Sequence, residues 1–206
     1  LFAVGAAILV ARPSWSGGLV AVAVLYASYC LDCADGMLAR CKKVASKVGA
    51  LFDFFTDEMK ALLLVGALAV RTWRTGGWGL GAHWAAGDAR FLLAGIAGVV
   101  VVASAISLTN FVRRPELSGR ETTVEAFYER SGARGAPSAS VTARAGSLVG
   151  TFLKWLNHYP SHLWLWALFG HLDVYLWLYI ALNGTYLARG WLGLALRLGR
   201  APARGP

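Results

Sequence analysis

Long apolar runs separated by short polar connections cover most of the chain. A membrane-spanning helix needs about 20 mainly apolar residues, and the pattern predicts spans at 1–11, 19–38, 48–70, 91–112, 148–169 and 174–198. The first run begins without Met, so we expect it to be the surviving end of a longer span. The pattern therefore predicts an all-α integral membrane protein with six transmembrane helices, the first of them truncated at its N-terminus.

Two polar connections and one proline complete this organisation. Residues 113–144 form the longest polar stretch, which we expect to be a loop of a single membrane domain covering residues 1–206. The glycine-rich stretch 74–88 lacks a following Lys-Ser or Lys-Thr, so it is expected to be a flexible turn with interfacial tryptophans and not a phosphate-binding loop. Pro160 interrupts the fifth span, which either kinks there or begins as a surface helix.

The charges predict which side of the membrane each connection occupies. The formal net charge is +9 although 57% of the residues are hydrophobic. One set of connections holds most of the basic residues, namely Arg40, Lys42, Lys43, Lys47, Arg113, Arg114, Arg120, Arg130, Arg134, Arg144, Arg197, Arg200 and Arg204. The positive-inside rule makes this set, and with it the loop 113–144, cytoplasmic. The basic excess then reflects topology and attraction to anionic lipid headgroups, and we expect no nucleic-acid partner.

Several isolated residues are expected to have structural roles. Cys30 and Cys33 resemble a metal-binding pair, but no second pair completes a zinc site, so we expect small residues packed between helices. His158 and His162 are four residues apart with a proline between them, which favours interfacial histidines over a shared metal. Asn183 is expected to form one hydrogen bond between helices.

Four aspartates stand at one end of two neighbouring spans. Asp32 and Asp35 close the second span, and Asp53 and Asp57 open the third, at spacings that place each pair on one helix face. The connection between these spans is short, so the helices are antiparallel and the pairs can converge. An ionised Asp in the middle of a bilayer costs about 2.5 to 3.5 kcal/mol. The aspartates therefore need compensation by Arg40 and nearby lysines, by protonation, or by divalent cations, of which carboxylates without His or Cys suit Mg²⁺ or Mn²⁺.

Small residues share the helix faces of these acids. Gly36, Ala39 and Gly49 lie within four residues of an aspartate of the same helix or of one another. Glycine inside a helix costs about 1 kcal/mol relative to alanine. Such a face permits close approach either by another helix or by a flat ligand.

The stretch 32–57 resembles the signature of the CDP-alcohol phosphotransferases, also called CDP-alcohol phosphatidyltransferases. That signature is DxxDGxxAR, eight residues, and then GxxxDxxxD, and it stands here complete as Asp32, Asp35, Gly36, Ala39, Arg40, Gly49, Asp53 and Asp57. The resemblance implies an enzyme of phospholipid biosynthesis that transfers a phosphoalcohol group from a CDP-linked donor to an acceptor hydroxyl and releases CMP.

The resemblance also implies roles for the matching residues. The ligands of two Mg²⁺ or Mn²⁺ ions would be Asp32, Asp35, Asp53 and Asp57, with Asp57 also the general base. The nucleotide-binding residues would be Asp32, Gly36, Ala39, Arg40 and Gly49, to which Ser46 adds a hydroxyl. The enzyme would be a homodimer with its active site at the cytoplasmic membrane interface.

The substrates are open to two interpretations within the family. One transfers a phosphatidyl group from CDP-diacylglycerol to a polar alcohol, and the other joins CDP-choline or CDP-ethanolamine to diacylglycerol. The short chain favours the first, in a bacterial cytoplasmic membrane. An acceptor that carries its own phosphate needs a basic pocket. Candidates, which can equally be positive-inside anchors, are Arg113, Arg114, Lys154 and Arg189.

A transporter is the main alternative from another functional class. Intramembrane carboxylates of transporters carry ions or protons along a path through the bilayer. Here the acids cluster at one face beside a short basic connection, which favours the enzyme.

Overall fold

The computed structural model describes residues 1–44, 46–112, 151–152, 155–156, 158 and 161–198. Its helices are α1 (Phe2–Ala11), α2 (Trp15–Cys41), α3 (Lys47–Thr75), α4 (Ala89–Val112), α5 (Leu163–Leu168) and α6 (Leu172–Leu198). Between α3 and α4 lie two short strands, β1 (Gly77–Gly79) and β2 (Ala82–Trp84). The prediction of a mostly helical chain is confirmed.

Serine side chains cap the N-termini of α2 and α3, the two helices that carry the four aspartates. Ser14 Oγ accepts a hydrogen bond from the Gly17 N–H at the start of α2, and Ser46 Oγ accepts one from the Gly49 N–H at the start of α3. Such caps satisfy backbone donors that have no partner within the helix. Both helices therefore begin at a serine that the sequence specifies.

Helix α2 ends in a tight reversal at Lys43. This residue has a left-handed backbone with φ 57°, its N–H donates to the Arg40 carbonyl, and the Val44 N–H donates to the Ala39 carbonyl. Together these bonds form a Schellman motif, in which the left-handed position is usually glycine. The reversal sends the chain back toward α3 as an antiparallel neighbour.

Helix α3 is the centre of the bundle. It packs against α1, α4 and α6, while α2 packs against α1 and α5. Gly95 and Gly98 let α4 approach closely, because a Cβ on Gly95 would lie 2.2 Å from the Ala69 Cβ. The large, fully buried side chains of this core include Leu9, Leu25, Leu64, Leu68, Leu163, Tyr175 and Leu176.

The helices agree with the predicted spans to different degrees. Within the described residues, α2 and α4 have both the length and the mean hydropathy of a membrane-spanning helix. Helix α4 also presents apolar side chains outward, with Leu93 and Ile96 both 64% exposed. Helices α3 and α6 contain the predicted spans 48–70 and 174–198, but the total of six spans stays a prediction.

One expectation about the fold was wrong. The stretch expected to be a flexible turn forms an antiparallel hairpin in which Trp78 pairs with His83. The fifth predicted span is interrupted, as expected, since His158 is non-helical and α5 is a separate helix of 6 residues, too short by itself to cross a bilayer. Pro160 and the loop 113–144 lie outside the described residues.

Candidate metal and active site

Three carboxylates meet between the C-terminal half of α2 and the N-terminal half of α3. Asp32 of α2 and Asp53 and Asp57 of α3 each offer one oxygen, and these three oxygens lie within 4.8 Å of one another. The side chain of Asp32 is 28% exposed and that of Asp57 is 57% exposed. The short connection between the helices thus brings together acids that are 21 to 25 residues apart in sequence.

A lysine that sequence analysis missed bridges two of these acids. Lys60 Nζ donates to Asp32 Oδ1 at 2.8 Å and to Asp57 Oδ1 at 2.9 Å, and its side chain is only 12% exposed. The signal was present, because Lys60 follows Asp57 by three residues on the same helix face and is the one basic residue in the predicted span 48–70.

The fourth aspartate stands apart from these three. Asp35 is exposed and does not belong to the group of converging oxygens. Repulsion from Asp57, Asp32 and Asp35 nevertheless acts on Asp53, and attraction to Lys60 opposes it. Asp35 is therefore within electrostatic range of the cluster, and its role as a metal ligand stays a prediction.

The predicted nucleotide-binding residues lie on the same two helices as this cluster. Gly36 leaves space beneath Arg40, because a Cβ on Gly36 would lie 3.6 Å from the nearer guanidinium nitrogen, an ordinary contact. Arg40 and Gly49 are exposed, and Ala39 is half-buried. Among the described residues, close packing against another helix does not explain the lack of a side chain at Gly36. Space for a flat ligand stays the predicted reason.

Ser46 has a structural role at the start of α3, and its predicted contact with the nucleotide stays a prediction. Its hydroxyl caps α3 by accepting the Gly49 N–H at 3.0 Å. A Cβ on Gly49 would lie 3.2 Å from that oxygen. The lack of a side chain at Gly49 is therefore explained by the cap and does not by itself indicate a bound ligand.

The predicted acceptor-site residues are only partly described. Arg113, Arg114 and Lys154 lie outside the described residues. Arg189 is exposed on α6 and lines a cavity of about 380 Å³ between α4 and α6, together with Thr109 and Tyr186. That cavity does not include any residue of the aspartate cluster, so the proposed contact between Arg189 and an acceptor phosphate remains untested.

The remaining candidates have structural surroundings. The three cysteines are free and exposed, which corrects the expectation that Cys30 and Cys33 pack between helices. His162 is buried, not interfacial, since its Nδ1 accepts from Trp166 Nε1 and its Nε2 donates to the Leu156 carbonyl. Asn183 Nδ2 donates to the Tyr179 carbonyl of its own helix, so the expected bond between helices is not the one formed.

The donor chemistry of the cluster fits a hard divalent cation. Carboxylate oxygens from Asp32, Asp53 and Asp57 can converge on one ion, and no His or Cys joins them among the described residues. Mg²⁺ and Mn²⁺ prefer such oxygen ligands and keep positions open for water or phosphate. The exposure of Asp53 and Asp57 leaves the cluster open to a ligand from outside.

Comparison with known proteins gives one match. A family model described as CDP-alcohol phosphatidyltransferase matches residues 1–129, which is more than half of the chain and includes all of the aspartates discussed above. No curated protein and no solved structure matches the chain.

Proposed function

Because the chain belongs to the CDP-alcohol phosphatidyltransferase family, a membrane-associated family of transferases in phospholipid synthesis, we propose that it transfers a phosphatidyl group from CDP-diacylglycerol to the hydroxyl of a polar alcohol. The observation that carries this proposal is the convergence of Asp32, Asp53 and Asp57 on one point. These are three of the four acids of the family's motif.

The chemistry of this transfer is a single displacement at phosphorus. The acceptor oxygen forms a new bond to the phosphorus that carries the diacylglycerol, and the bond from that phosphorus to the bridging pyrophosphate oxygen breaks. CMP leaves with the electron pair of the broken bond. The acceptor hydroxyl loses its proton to a base, for which Asp57 is the candidate because it is the most exposed of the two bridged acids.

The same acids would hold the cofactor. Asp32, Asp35, Asp53 and Asp57 are the proposed ligands of two divalent ions, Mg²⁺ or Mn²⁺. Such ions, when bound, neutralise and orient the pyrophosphate and stabilise the leaving CMP. Gly36, Ala39, Arg40 and Gly49 would contact the nucleotide, with the Arg40 guanidinium suited to a phosphate oxygen.

The proposed setting is a multi-pass protein of a bacterial cytoplasmic membrane. The aspartates lie in the halves of α2 and α3 that adjoin their short connection, where a soluble nucleotide and a lipid tail would reach one pocket. By the positive-inside rule, the basic connection after α2 supports a cytoplasmic position for this end. A homodimer packed through membrane helices is proposed on the family resemblance.

A CMP-release assay tests the proposed reaction. The purified protein would be given CDP-diacylglycerol and a panel of alcohols that includes serine, glycerol phosphate and inositol phosphate, with Mg²⁺ or with a chelator. We expect metal-dependent CMP release with one acceptor class and a loss of at least a hundredfold in Asp53→Asn. CMP release from CDP-choline or CDP-ethanolamine with diacylglycerol would instead assign the other branch of the family, and ion flux without CMP from any donor would refute the enzyme.

A further inference from the structure

Lys60 occupies the position between α2 and α3 at which a cation held by Asp32 and Asp57 would have to lie. Its Nζ is 2.8 Å from Asp32 Oδ1 and 2.9 Å from Asp57 Oδ1. We propose that Lys60 is a built-in placeholder for a divalent cation, which holds the metal-free site together and must leave both carboxylates when metal binds. This inference rests on the proposed function, because it concerns the metal site of that reaction.

Lys60 and a metal ion would exclude each other if the ion used the same two oxygens, Asp32 Oδ1 and Asp57 Oδ1. Mg²⁺ lies about 2.0 to 2.1 Å from its oxygen ligands, so an ion that bridges the same two oxygens needs the space that the ammonium fills. Two cations at such a distance would also repel each other strongly in a partly buried site. Lys60 would therefore compete with the metal ion for these oxygens. A residue that only hydrogen-bonds a metal-binding carboxylate from outside would instead favour metal binding.

The burial of Lys60 shows that it is more than a surface ion pair. Its side chain is 12% exposed, and its bond to Asp32 joins α3 to α2. Its bond to Asp57, three residues earlier, lies within α3. Without this ammonium, Asp32, Asp53 and Asp57 would face one another with only repulsion between them. Lys60 thus permits the acids to stay close before any metal arrives.

Displacement of Lys60 also links metal binding to donor binding. An ammonium driven from two carboxylates needs a new anionic partner in the same pocket, and its flexible four-carbon stem lets it move. The pyrophosphate of a CDP-linked donor is such a partner. We therefore expect Mn²⁺ and CDP to bind more tightly together than separately, and part of this coupling to depend on Lys60.

Metal titration of the purified protein separates a placeholder from a supporting residue. Thermal unfolding would be followed against Mn²⁺ concentration without nucleotide, and then with saturating CDP, for the wild type, Lys60→Met, Lys60→Gln and Lys60→Arg. Lys42→Met, which removes an exposed lysine from the end of α2, is the matched control. The two neutral variants guard against one of them failing to fold.

The placeholder predicts an unusual combination of effects. In Lys60→Met and Lys60→Gln the metal-free Tm falls, the half-saturating Mn²⁺ concentration falls by about tenfold, and the coupling between Mn²⁺ and CDP shrinks. Lys60→Arg and Lys42→Met stay close to the wild type. An unchanged or raised half-saturating concentration in both neutral variants would overturn the placeholder.

The same samples distinguish this failure from failure of the proposed function. Tighter Mn²⁺ binding in the neutral variants, with no CMP release from any CDP-linked donor by the wild type, would refute the reaction and support the placeholder. Metal-dependent CMP release by the wild type, with no gain in Mn²⁺ affinity in the neutral variants, would do the opposite.

Discussion

Asp57 is the more accessible of the two acids that Lys60 bridges. It is hydrogen-bonded to Lys60 and yet 57% of its side chain is exposed, so that an acceptor hydroxyl can reach its second oxygen. Asp32, at 28%, is the more enclosed partner of Lys60. This difference between two carboxylates on one ammonium suggests different tasks for them.

We expect Asp57→Asn to abolish turnover while nucleotide binding is largely kept. Loss of a positioned base costs about a hundredfold to ten-thousandfold in rate, and an amide cannot accept the hydroxyl proton. CMP release and equilibrium CDP binding would be measured on the same preparation. Glu58→Gln is the matched control, because Glu58 is the next residue and its carboxylate accepts from Asn110 Nδ2 of α4. Equal losses of metal, CDP and turnover in Asp57→Asn would make Asp57 a structural ligand.

Lys43 gives a prediction about stability. Its φ of 57° is a conformation that costs a side-chain-bearing residue about 1 to 2 kcal/mol, part of which glycine regains. Lys43→Gly should therefore stabilise the protein by about 0.5 to 1 kcal/mol, seen as a raised midpoint of denaturant unfolding. Lys42→Gly is the control, since Lys42 has a right-handed φ of −81° and glycine there should destabilise. A loss of stability in Lys43→Gly would show that the lysine side chain matters more than its backbone.

At the scale of elements, sequence predicted the helices better than the connections. The cores of α2, α3, α4 and α6 follow from apolar runs, and the structure extends each by a few residues at its ends. Many of the added residues are polar or glycine, so a search for apolar runs does not include them. The hairpin β1–β2 was missed because its residues alternate glycine with tryptophan or leucine, and only backbone pairing distinguishes that from a turn.

The candidate site was predicted to a similar extent. Helix spacing sufficed to bring Asp32, Asp53 and Asp57 together, because it depends on the 3.6-residue period and one short connection. Spacing did not exclude Asp35 from the converging oxygens, since a residue three positions along a helix is also turned by about 60° relative to the first. The use of Lys60 depends on a side-chain rotamer that no pattern of residue types specifies.

The contact between α3 and α4 yields a prediction at this scale. A methyl group on Gly95 would lie 2.2 Å from the Ala69 Cβ, which is fixed to the α3 backbone and cannot turn away. Gly95→Ala should force the helices apart and destabilise the protein by about 1 to 3 kcal/mol. Gly66→Ala is the control, since nothing lies within 4 Å of a Cβ there and alanine is the better helix former. Thermal unfolding of both variants tests this, and equal stability in the two would contradict the close packing.

At the scale of the whole molecule, hydrogen bonds between side chains and backbone groups join different elements at the end away from the aspartates. Buried Arg71 donates to the carbonyls of Arg12 and Ser14, and thereby joins α3 to the turn between α1 and α2. Asp173 Oδ2 accepts the Trp78 N–H at 2.5 Å, which joins α6 to the hairpin. One end of the bundle is thus closed by hydrogen bonds, and the other presents acids to solvent.

These unlike ends predict a fixed orientation in the membrane. Cys41 is exposed at the end of α2, in the half of that helix that carries Asp32, and Leu80 is 69% exposed between β1 and β2. In sealed vesicles that hold a variant with Cys30 and Cys33 replaced, a membrane-impermeant thiol reagent should modify Cys41 only from the cytoplasmic side. In a variant with its native cysteines replaced, Leu80→Cys should react only from the other side. Labelling of both positions from one side would refute this topology.

The reversal at Lys43 and the cap at Ser46 explain why the number of residues between the two halves of the motif matters. Helix α2 ends at Cys41 and α3 begins at Lys47, so a residue added or removed between them would change where α3 starts relative to α2 and would move Asp53 and Asp57 relative to Asp32. The length of this connection therefore matters more for the site than the identity of its exposed residues.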